Sequence, residues 1–372
     1  MKKNTISLIA AIILILGAIF LIQTSKTRVT DPTEVIELAK PSTSEENATP
    51  FQQSTSLRSL KKQALYPTAK ELVGIAGYIN SEEFKLEDYI GKKVILLDIW
   101  TYSCINCQRT LPFIKAWNEK YKDKGLLIVG VHSPEFAFEK KYENVANAVK
   151  KFNITYPVVL DNDFQTWRAY NNRYWPRKYL IDIDGFIVYD HIGEGGYGET
   201  EFKIQDLLEE RNEVLQLKEI IQKDAVTPKA DNVDFKKIAT PEIYFGHGFY
   251  RDHMGNEEGI SPDEIVEYKA PQEINPNLFY LDGAWLNNRD GMKLVSAKGK
   301  IILHYFAKKV NIVAGSDTEE ELTIYLDGEE HSKVKVADFD LYTILDEPTY
   351  GSHLLVIETS TPGFEIFTFT FG

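Results

Sequence analysis

Two cysteines three positions apart are the strongest chemical signal in this chain. Cys104 and Cys107 are its only cysteines, and they follow a continuous apolar run, Val94–Trp100, that is typical of a strand buried on both faces. The apolar spacing after this run predicts a helix over 104–122. Free N–H groups and the dipole at a helix start favour a thiolate at the first cysteine, and the second cysteine lies one turn later on the same face. This arrangement suits reversible exchange between a dithiol and a disulfide.

Other uses of the cysteine pair are weaker interpretations. A structural disulfide would gain little stability from closing so short a loop. A zinc site needs two more ligands, and no second cysteine pair or paired histidines lie nearby. Inert buried cysteines would not need a strand–turn–helix setting. A thiol peroxidase stays open as an alternative, because Thr101 and Cys104 have the T-x-x-C spacing of peroxiredoxins, although Leu97 stands where that motif has proline. A non-catalytic surface binding protein, which would act through the β-rich C-terminal part of the chain, is the other alternative.

Composition narrows the class of protein further. The chain has 372 residues, of which 43% are hydrophobic, and that length favours two folded domains. Its 42 basic and 55 acidic residues give a formal net charge of −13. A negative protein is repelled by phosphate backbones, so we expect no nucleic-acid partner.

The N-terminus predicts a membrane anchor. Lys2 and Lys3 precede an uncharged, mainly apolar stretch, Asn4–Ser25. As a helix this stretch would reach about 33 Å, enough for a hydrocarbon core of ~30 Å. We therefore expect residues 1–28 to form a single transmembrane helix with the rest of the chain outside the cytoplasm. A cleaved signal peptide is the alternative interpretation.

The rest of the chain divides into four segments that differ in polarity and in hydrophobic pattern. Residues 29–66 are polar and predict a flexible tether. Residues 67–217 alternate strands and helices, which indicates an α/β domain with a mixed sheet. The polar segment 218–240 is the predicted linker, and 241–372 carries short strands and turn signals typical of an all-β sandwich or jelly roll. In the α/β domain, the predicted strands after the first are 126–131, 156–160, 178–183 and 186–191, and the later predicted helices are 137–152 and 201–217.

Several segments resemble one known family. Asp98–Arg109 is similar to the active-site segment of thioredoxin-like proteins of the TlpA and DipZ type. Further similar segments follow in the family's order: Leu86–Lys92, Val131–Phe136, Tyr174–Asp182, Thr240–Tyr244 and Phe369–Gly372. The resemblance covers about 67–372 and implies a thioredoxin fold, a DipZ-type β domain, and oxidoreductase activity on protein thiols and disulfides, without a bound cofactor.

The same resemblance implies a source of electrons. DipZ proteins carry a multi-helix domain of the CcdA type before this part, whereas a single anchor helix is predicted here. We therefore expect a separate CcdA- or DsbD-like membrane partner to reduce the cysteine pair. Ile105 and Asn106 add no charge between the cysteines, which favours a reductase over an oxidase.

Two features are expected to assist the cysteines. The resemblance implies a cis peptide bond between Trp175 and Pro176 facing the pair, with Trp175 shaping the substrate pocket. Asp98 lies six residues before Cys104 and matches the buried acid of thioredoxins in position. Such an acid would have a raised pKa and take the proton of Cys107. An acid satisfied by backbone groups at a strand end is the alternative.

Other polar and aromatic residues have weaker predictions. Tyr102 and Glu135 are expected to contact substrate, although Glu135 is equally suited to cap a helix that begins at Ser133. Pro112 is expected to kink the cysteine helix. Three histidines (His132, His247 and His253) are expected to pack or lie in turns.

Aromatic residues of the β domain allow one further interpretation. They are Tyr244, Phe245, Tyr250, Trp285, Tyr305 and Phe306. Such side chains could form a stacking platform for carbohydrate, but alternate aromatics in a sandwich usually belong to its core.

Overall fold

A computed structural model describes residues 50–231, 233–249 and 251–372. The predicted anchor, the tether up to residue 49 and Tyr250 lie outside the described residues. Within the described ranges, the helices are all too short or too polar to span a membrane. Residues Ser59–Gly372 form one compact unit, which contains both predicted domains.

The first domain is a six-stranded mixed sheet covered by helices. The sheet order is β1-β4-β3-β2-β5-β6, in which β2, β3 and β4 run parallel and β5 is antiparallel to β2. This is the thioredoxin-like arrangement that the resemblance implied. Its strands are β1 Tyr78–Ile79, β2 Val94–Trp100, β3 Leu126–His132, β4 Val158–Leu160, β5 Arg177–Ile181 and β6 Ile187–Ile192. The helices are α1 Pro50–Gln63, α2 Ile105–Tyr121, α3 Tyr142–Lys151, α4 Gln165–Ala169 and α5 Tyr197–Leu215, with short 3-10 helices at Leu86–Tyr89, Lys122–Lys124 and Ala137–Lys140.

Strand β2 is central in the sheet, and apart from Asp98 its side chains are apolar on both faces. All 7 of its residues are buried. Leu96 belongs to the core that contains α2 and α5, whereas Leu97 belongs to the core on the opposite face of the sheet. A mainly apolar run is what such a two-sided position requires, and the predicted strand is confirmed.

Two predictions for this domain are corrected. The helix predicted over 137–152 is interrupted, because Lys141 is extended (φ −74°, ψ 122°) between the 3-10 helix and α3. The tether predicted over 29–66 contains a helix, α1, at its C-terminal end.

The chain enters the sheet at the end that lies away from the cysteines. Thr68 forms a bridge with Phe186, at the turn that joins β5 to β6. The Ile187 N–H donates to the Pro67 carbonyl at 2.9 Å. Because β5 is antiparallel to β2, this turn lies beside the start of β2, while Cys104 follows the end of β2.

The second domain is all-β. Its sheet order is β13-β12-β14-β11-β15-β10-β9-β8, with β7 beside β15. The long strand β11 pairs with β9 near its start and with β15 near its end, so one strand serves two parts of the sandwich. The strands are β7 Ile243–Tyr244, β8 Ile265–Tyr268, β9 Phe279–Asn287, β10 Met292–Leu294, β11 Gly299–Gly315, β12 Glu320–Leu326, β13 Glu329–Val336, β14 Asp340–Thr359 and β15 Glu365–Phe371.

Four of the six aromatics considered for a carbohydrate platform belong to the core. Tyr244, Phe245, Trp285 and Tyr305 are buried. Phe306 is 37% exposed, and Tyr250 lies outside the described residues. The four buried side chains therefore pack inside the protein, as is usual for alternate aromatics in a sandwich.

The predicted linker packs against the first domain. Ile221 is buried, and the Val226 N–H donates to Oε2 of Glu201 in α5 at 2.7 Å. A short 3-10 helix, Phe235–Lys237, follows before the second domain. The segment is therefore fixed along part of its length.

Lys62 joins the end of α1 to the turn between β5 and β6. Its Nζ lies 2.5 Å from Asp182 and 3.1 Å from Asp184, and it also contacts Glu210. We expect Lys62→Met to lower the free energy of unfolding by about 1–3 kcal/mol, because the buried Asp182 carboxylate loses its countercharge. Urea unfolding of the full chain measures this change.

Lys61→Met is the matched control, because Lys61 is the exposed neighbour in the same helix. Equal effects of the two substitutions would contradict a specific role of Lys62.

Candidate active site

The cysteine pair lies at the start of α2, directly after β2. Cys104 is the N-cap residue, and the Cys107 N–H donates to Sγ of Cys104 at 3.4 Å. Cys104 is partly exposed and Cys107 is fully buried, and both are free thiols. Only the first sulfur can meet a large substrate, so the geometry separates an attacking cysteine from a resolving one. Pro112 lies inside α2, as predicted.

Asp98 and Lys178 form a buried pair of opposite charge behind the cysteines. Both side chains are fully buried, and Lys178 Nζ lies 3.8 Å from Oδ1 of Asp98. Neighbouring strands bring them together, because Asp98 and Lys178 are paired in register between β2 and β5. In the described part of the chain, neither Oδ atom of Asp98 nor Nζ of Lys178 has a hydrogen-bond partner. The alternative of an acid satisfied by backbone groups is therefore not supported.

Burial sets the protonation of the groups around Cys107. It raises the pKa of Asp98 to about 6, with Lys178 acting in the opposite direction. Burial also raises the pKa of Cys107, and the sulfur of Cys104 adds to that shift. Burial lowers the pKa of Lys178, against the attraction of Asp98 and Cys107. At neutral pH the Asp98 carboxyl is mainly ionised. It can therefore act as a base for the Cys107 thiol, whose raised pKa otherwise keeps that thiol protonated.

The peptide bond between Trp175 and Pro176 is cis, as the resemblance implied. Trp175 is held by two contacts: its Nε1 donates to the Ser133 carbonyl at 2.9 Å, and its ring lies 4.3 Å from that of Trp167. The Ser133 hydroxyl donates to Asp161, whose carboxylate also accepts from the backbone at the start of α4. The partly exposed Trp175 ring is thereby positioned by the loop after β3 and by α4.

The placement of Tyr102 corrects its expected role. Its ring is buried and stacks on His132, and its hydroxyl donates to the Phe339 carbonyl of the second domain at 3.0 Å. A side chain in this position is used by the contact between domains and is not free to bind substrate. His132 itself packs, as expected, and burial lowers its pKa to about 3.

Glu135 does not cap a helix. Among the described contacts, none joins its side chain to the cysteines. Its Oε1 accepts from the hydroxyl of Tyr244 in the second domain at 2.6 Å. Burial raises the pKa of Glu135 to about 8, and the like charge of Glu242 adds to that shift. The substrate contact expected of Glu135 is therefore replaced by a contact between domains.

His247 and His253, the other two histidines considered above, do not form a common site. His247 lies 3.2 Å from Asp263, while burial lowers the pKa of His253. Among the residues that the structure describes, the one group of three acidic ligands within reach of each other contains neither histidine.

Three polar residues of the site were missed in the sequence. Lys178 could have been recognised from the sequence, because a lysine in a buried apolar strand needs a countercharge. Asp98, in the adjacent apolar strand, supplies it. Arg109 is buried and contacts Glu194 at 3.3 Å. Glu139 is a buried carboxylate that binds the residue before Cys104. No local pattern distinguishes Glu139 from an ordinary acid in a helix.

Family comparisons agree with this geometry. The family model described as Redoxin matches residues 68–207, and the one described as Thioredoxin like C-terminal domain matches 240–372. Protein DipZ of Mycobacterium bovis is 35% identical over 307 residues, which cover 82% of this chain and 43% of that protein. The chain thus spans under half the length of these DipZ relatives.

Two shorter proteins match the first domain. Thiol-disulfide oxidoreductase YkuV of Bacillus subtilis is 29% identical over 140 residues, which cover 38% of this chain and 93% of that protein. The solution structure of a thioredoxin-like protein in its oxidised form is 28% identical, with a TM-score of 0.37, and covers 39% of this chain and 97% of that one.

A mixed sheet with a cysteine pair at the start of α2 is the arrangement of thioredoxin-like proteins. The two family models match the two domains one after the other along the chain. These findings support a thioredoxin-like protein of the DipZ and TlpA type.

The Asp98–Lys178 pair makes stability depend on pH. The pKa of Asp98 is raised in the folded state, so its contribution is complete below the unfolded value near 4 and is lost as pH rises through about 6. A shift of two units corresponds to about 3 kcal/mol. We expect the double variant Asp98→Asn/Lys178→Met to gain up to that amount relative to the wild type between pH 4.5 and 7.5, measured by urea unfolding.

The control is the exposed pair Arg177 and Asp190, whose Nη2 and Oδ2 lie 2.6 Å apart between β5 and β6. Replacing it by Met and Asn should leave the difference from the wild type nearly constant with pH. A constant difference for the buried pair as well would show that Asp98 does not titrate in this range.

Proposed function

We propose that this protein is an extracytoplasmic, membrane-anchored thiol–disulfide oxidoreductase that reduces disulfides of other proteins. The observation that supports this function best is the different accessibility of the two cysteines at the start of α2. Cys104 is accessible, Cys107 is buried, and the ionisable Asp98 lies behind Cys107. A structural disulfide needs neither an exposed sulfur nor a buried base.

The reduction proceeds in two exchanges. The Cys104 thiolate attacks a substrate disulfide, forms a mixed disulfide and releases the first substrate thiolate, which takes a proton from water. Asp98 then takes the proton of Cys107. The Cys107 thiolate attacks Sγ of Cys104, and the second substrate sulfur leaves as a thiolate that takes up the proton removed by Asp98. Two electrons pass from the protein to the substrate, so the dithiol needs no bound cofactor.

Regeneration of the dithiol requires two electrons and two protons. We propose that a CcdA- or DsbD-like membrane protein supplies the electrons, in keeping with the resemblance to DipZ. The partner and the substrate must meet Cys104 in turn, because Cys107 is buried. Uncharged Ile105 and Asn106 favour the reducing direction, since they do not over-stabilise the Cys104 thiolate.

The cysteine variants test the activity. With dithiothreitol as reductant, the full chain should reduce insulin disulfides, and Cys104→Ser should lower the rate at least about a hundredfold because no attacking thiolate remains. Cys107→Ser should accumulate a mixed disulfide between Cys104 and insulin, detected by mass spectrometry without reductant.

The double variant Cys104→Ser/Cys107→Ser gives the background rate. Activity of the wild type equal to this background would refute the proposed function. A reduction potential near the ~−120 mV of strong oxidants, in place of the ~−270 mV of thioredoxin, would reverse its direction.

The proposed location rests on the apolar stretch Asn4–Ser25. Each arginine at the centre of a membrane helix costs about 2.5–3.5 kcal/mol on insertion scales. Ile13→Arg/Leu16→Arg should therefore move the full chain from the membrane fraction to the soluble fraction after alkaline extraction. The control Ile13→Val/Leu16→Val should stay with the membrane, and a wild type found in the soluble fraction would contradict the anchor.

A further inference from the structure

The second domain holds the turn that leads into the active site. Tyr102 lies two residues before Cys104, and its hydroxyl donates to the Phe339 carbonyl at 3.0 Å. Phe339 belongs to the turn between β13 and β14 of the second domain. The Tyr102 ring is buried and stacked on His132, so it is held on its face as well as at its hydroxyl.

Ser103, the next residue, is bound by a buried carboxylate. The Ser103 hydroxyl donates to Oε1 of Glu139 at 2.7 Å, and the Ser103 N–H donates to the same oxygen at 3.3 Å. Oε2 of Glu139 accepts from the N–H groups of Glu135 and Phe136 at 2.5 Å and 3.0 Å. Glu139 thus joins the turn before Cys104 to the loop after β3.

That loop is itself packed into the second domain. The ring of Phe138 lies 5.3 Å from Phe339 and 4.8 Å from Phe367. The Ala137 N–H donates to Oδ2 of Asp290 at 2.7 Å. The second domain therefore reaches the two residues before Cys104 by two routes, directly through Tyr102 and indirectly through Glu139.

We propose that the second domain is a positioning element for the attacking cysteine. By fixing Tyr102 and Ser103, it keeps Cys104 at the N-cap of α2, where Sγ accepts the Cys107 N–H. This bond stabilises the Cys104 thiolate and hence the reduced form of the pair. The second domain thereby sets the reduction potential of a site to which it contributes no reacting atom. The inference rests on the proposed exchange activity.

A direction follows from this arrangement. When the turn is loosened, the thiolate loses part of its stabilisation, and the disulfide becomes more favourable relative to the dithiol. Tyr102→Phe removes one hydroxyl and leaves the stacked ring in place. Glu139→Gln replaces a carboxylate oxygen by an NH₂ group that cannot accept a hydrogen bond.

The matched control is Tyr268→Phe. The Tyr268 hydroxyl donates to the Gly259 carbonyl at 2.8 Å. Tyr268 lies in β8, at the edge of the second domain's sheet opposite β13 and away from Phe339. This substitution therefore removes a similar hydrogen bond of the second domain and leaves the Phe339 turn in place.

The experiment equilibrates the full chain and the three variants with glutathione buffers and measures the oxidised fraction by alkylation and mass spectrometry. We expect Tyr102→Phe and Glu139→Gln to shift the equilibrium about three- to tenfold toward the disulfide, where tenfold corresponds to ~30 mV. The pH profile of Cys104 alkylation should move to higher pH in both variants. Tyr268→Phe should change neither quantity.

Urea unfolding of each variant separates positioning from folding. Unchanged potentials and alkylation profiles in folded Tyr102→Phe and Glu139→Gln would overturn the proposal, as would an equal shift in Tyr268→Phe. A variant that does not fold would leave the other to decide. Failure of the wild type to exchange with glutathione would instead refute the proposed function itself.

Discussion

The carboxylate of Glu139 is buried, and hydrogen bonds from Ser103, Glu135 and Phe136 satisfy it. A buried anion persists at acceptable cost only when donors surround it. Here the donors come from the active-site turn and from the loop after β3, and that loop packs on the second domain. The carboxylate thus requires the active-site turn and the loop after β3 to keep one arrangement, since displacing either would remove its donors. The second domain supports this arrangement through the packing of that loop.

Asp98 shows the opposite use of a buried carboxylate. In the described residues its oxygens have no donors, and the nearest countercharge, on Lys178, lies 3.8 Å away. A poorly satisfied acid destabilises the fold, but its proton is correspondingly easy to move near neutral pH. The two carboxylates therefore have different roles. Glu139 holds the backbone in place, and Asp98 remains available for proton transfer.

The sequence predicted the parts of the site that depend on local pattern. The apolar run of β2, the helix after it and the burial of Asp98 are examples, since each has a signal within a few residues. The cis bond before Pro176 was instead implied by the resemblance to a known family. Tyr102 and Glu135 were assigned to substrate because nothing near them in sequence reveals the second domain, which covers both. The break at Lys141 was missed for a related reason: its extended backbone accompanies the packing of the preceding loop on the second domain.

The position at which the chain enters the sheet can be compared with the position of the cysteines. Thr68 joins the sheet beside the start of β2, while Cys104 follows its end. A strand of 7 residues at ~3.3 Å each separates the two by roughly 20 Å. The cysteines therefore lie at the end of the first domain opposite to the end at which the chain enters its sheet. A partner that binds Cys104 can approach without displacing the segment that leads into the sheet.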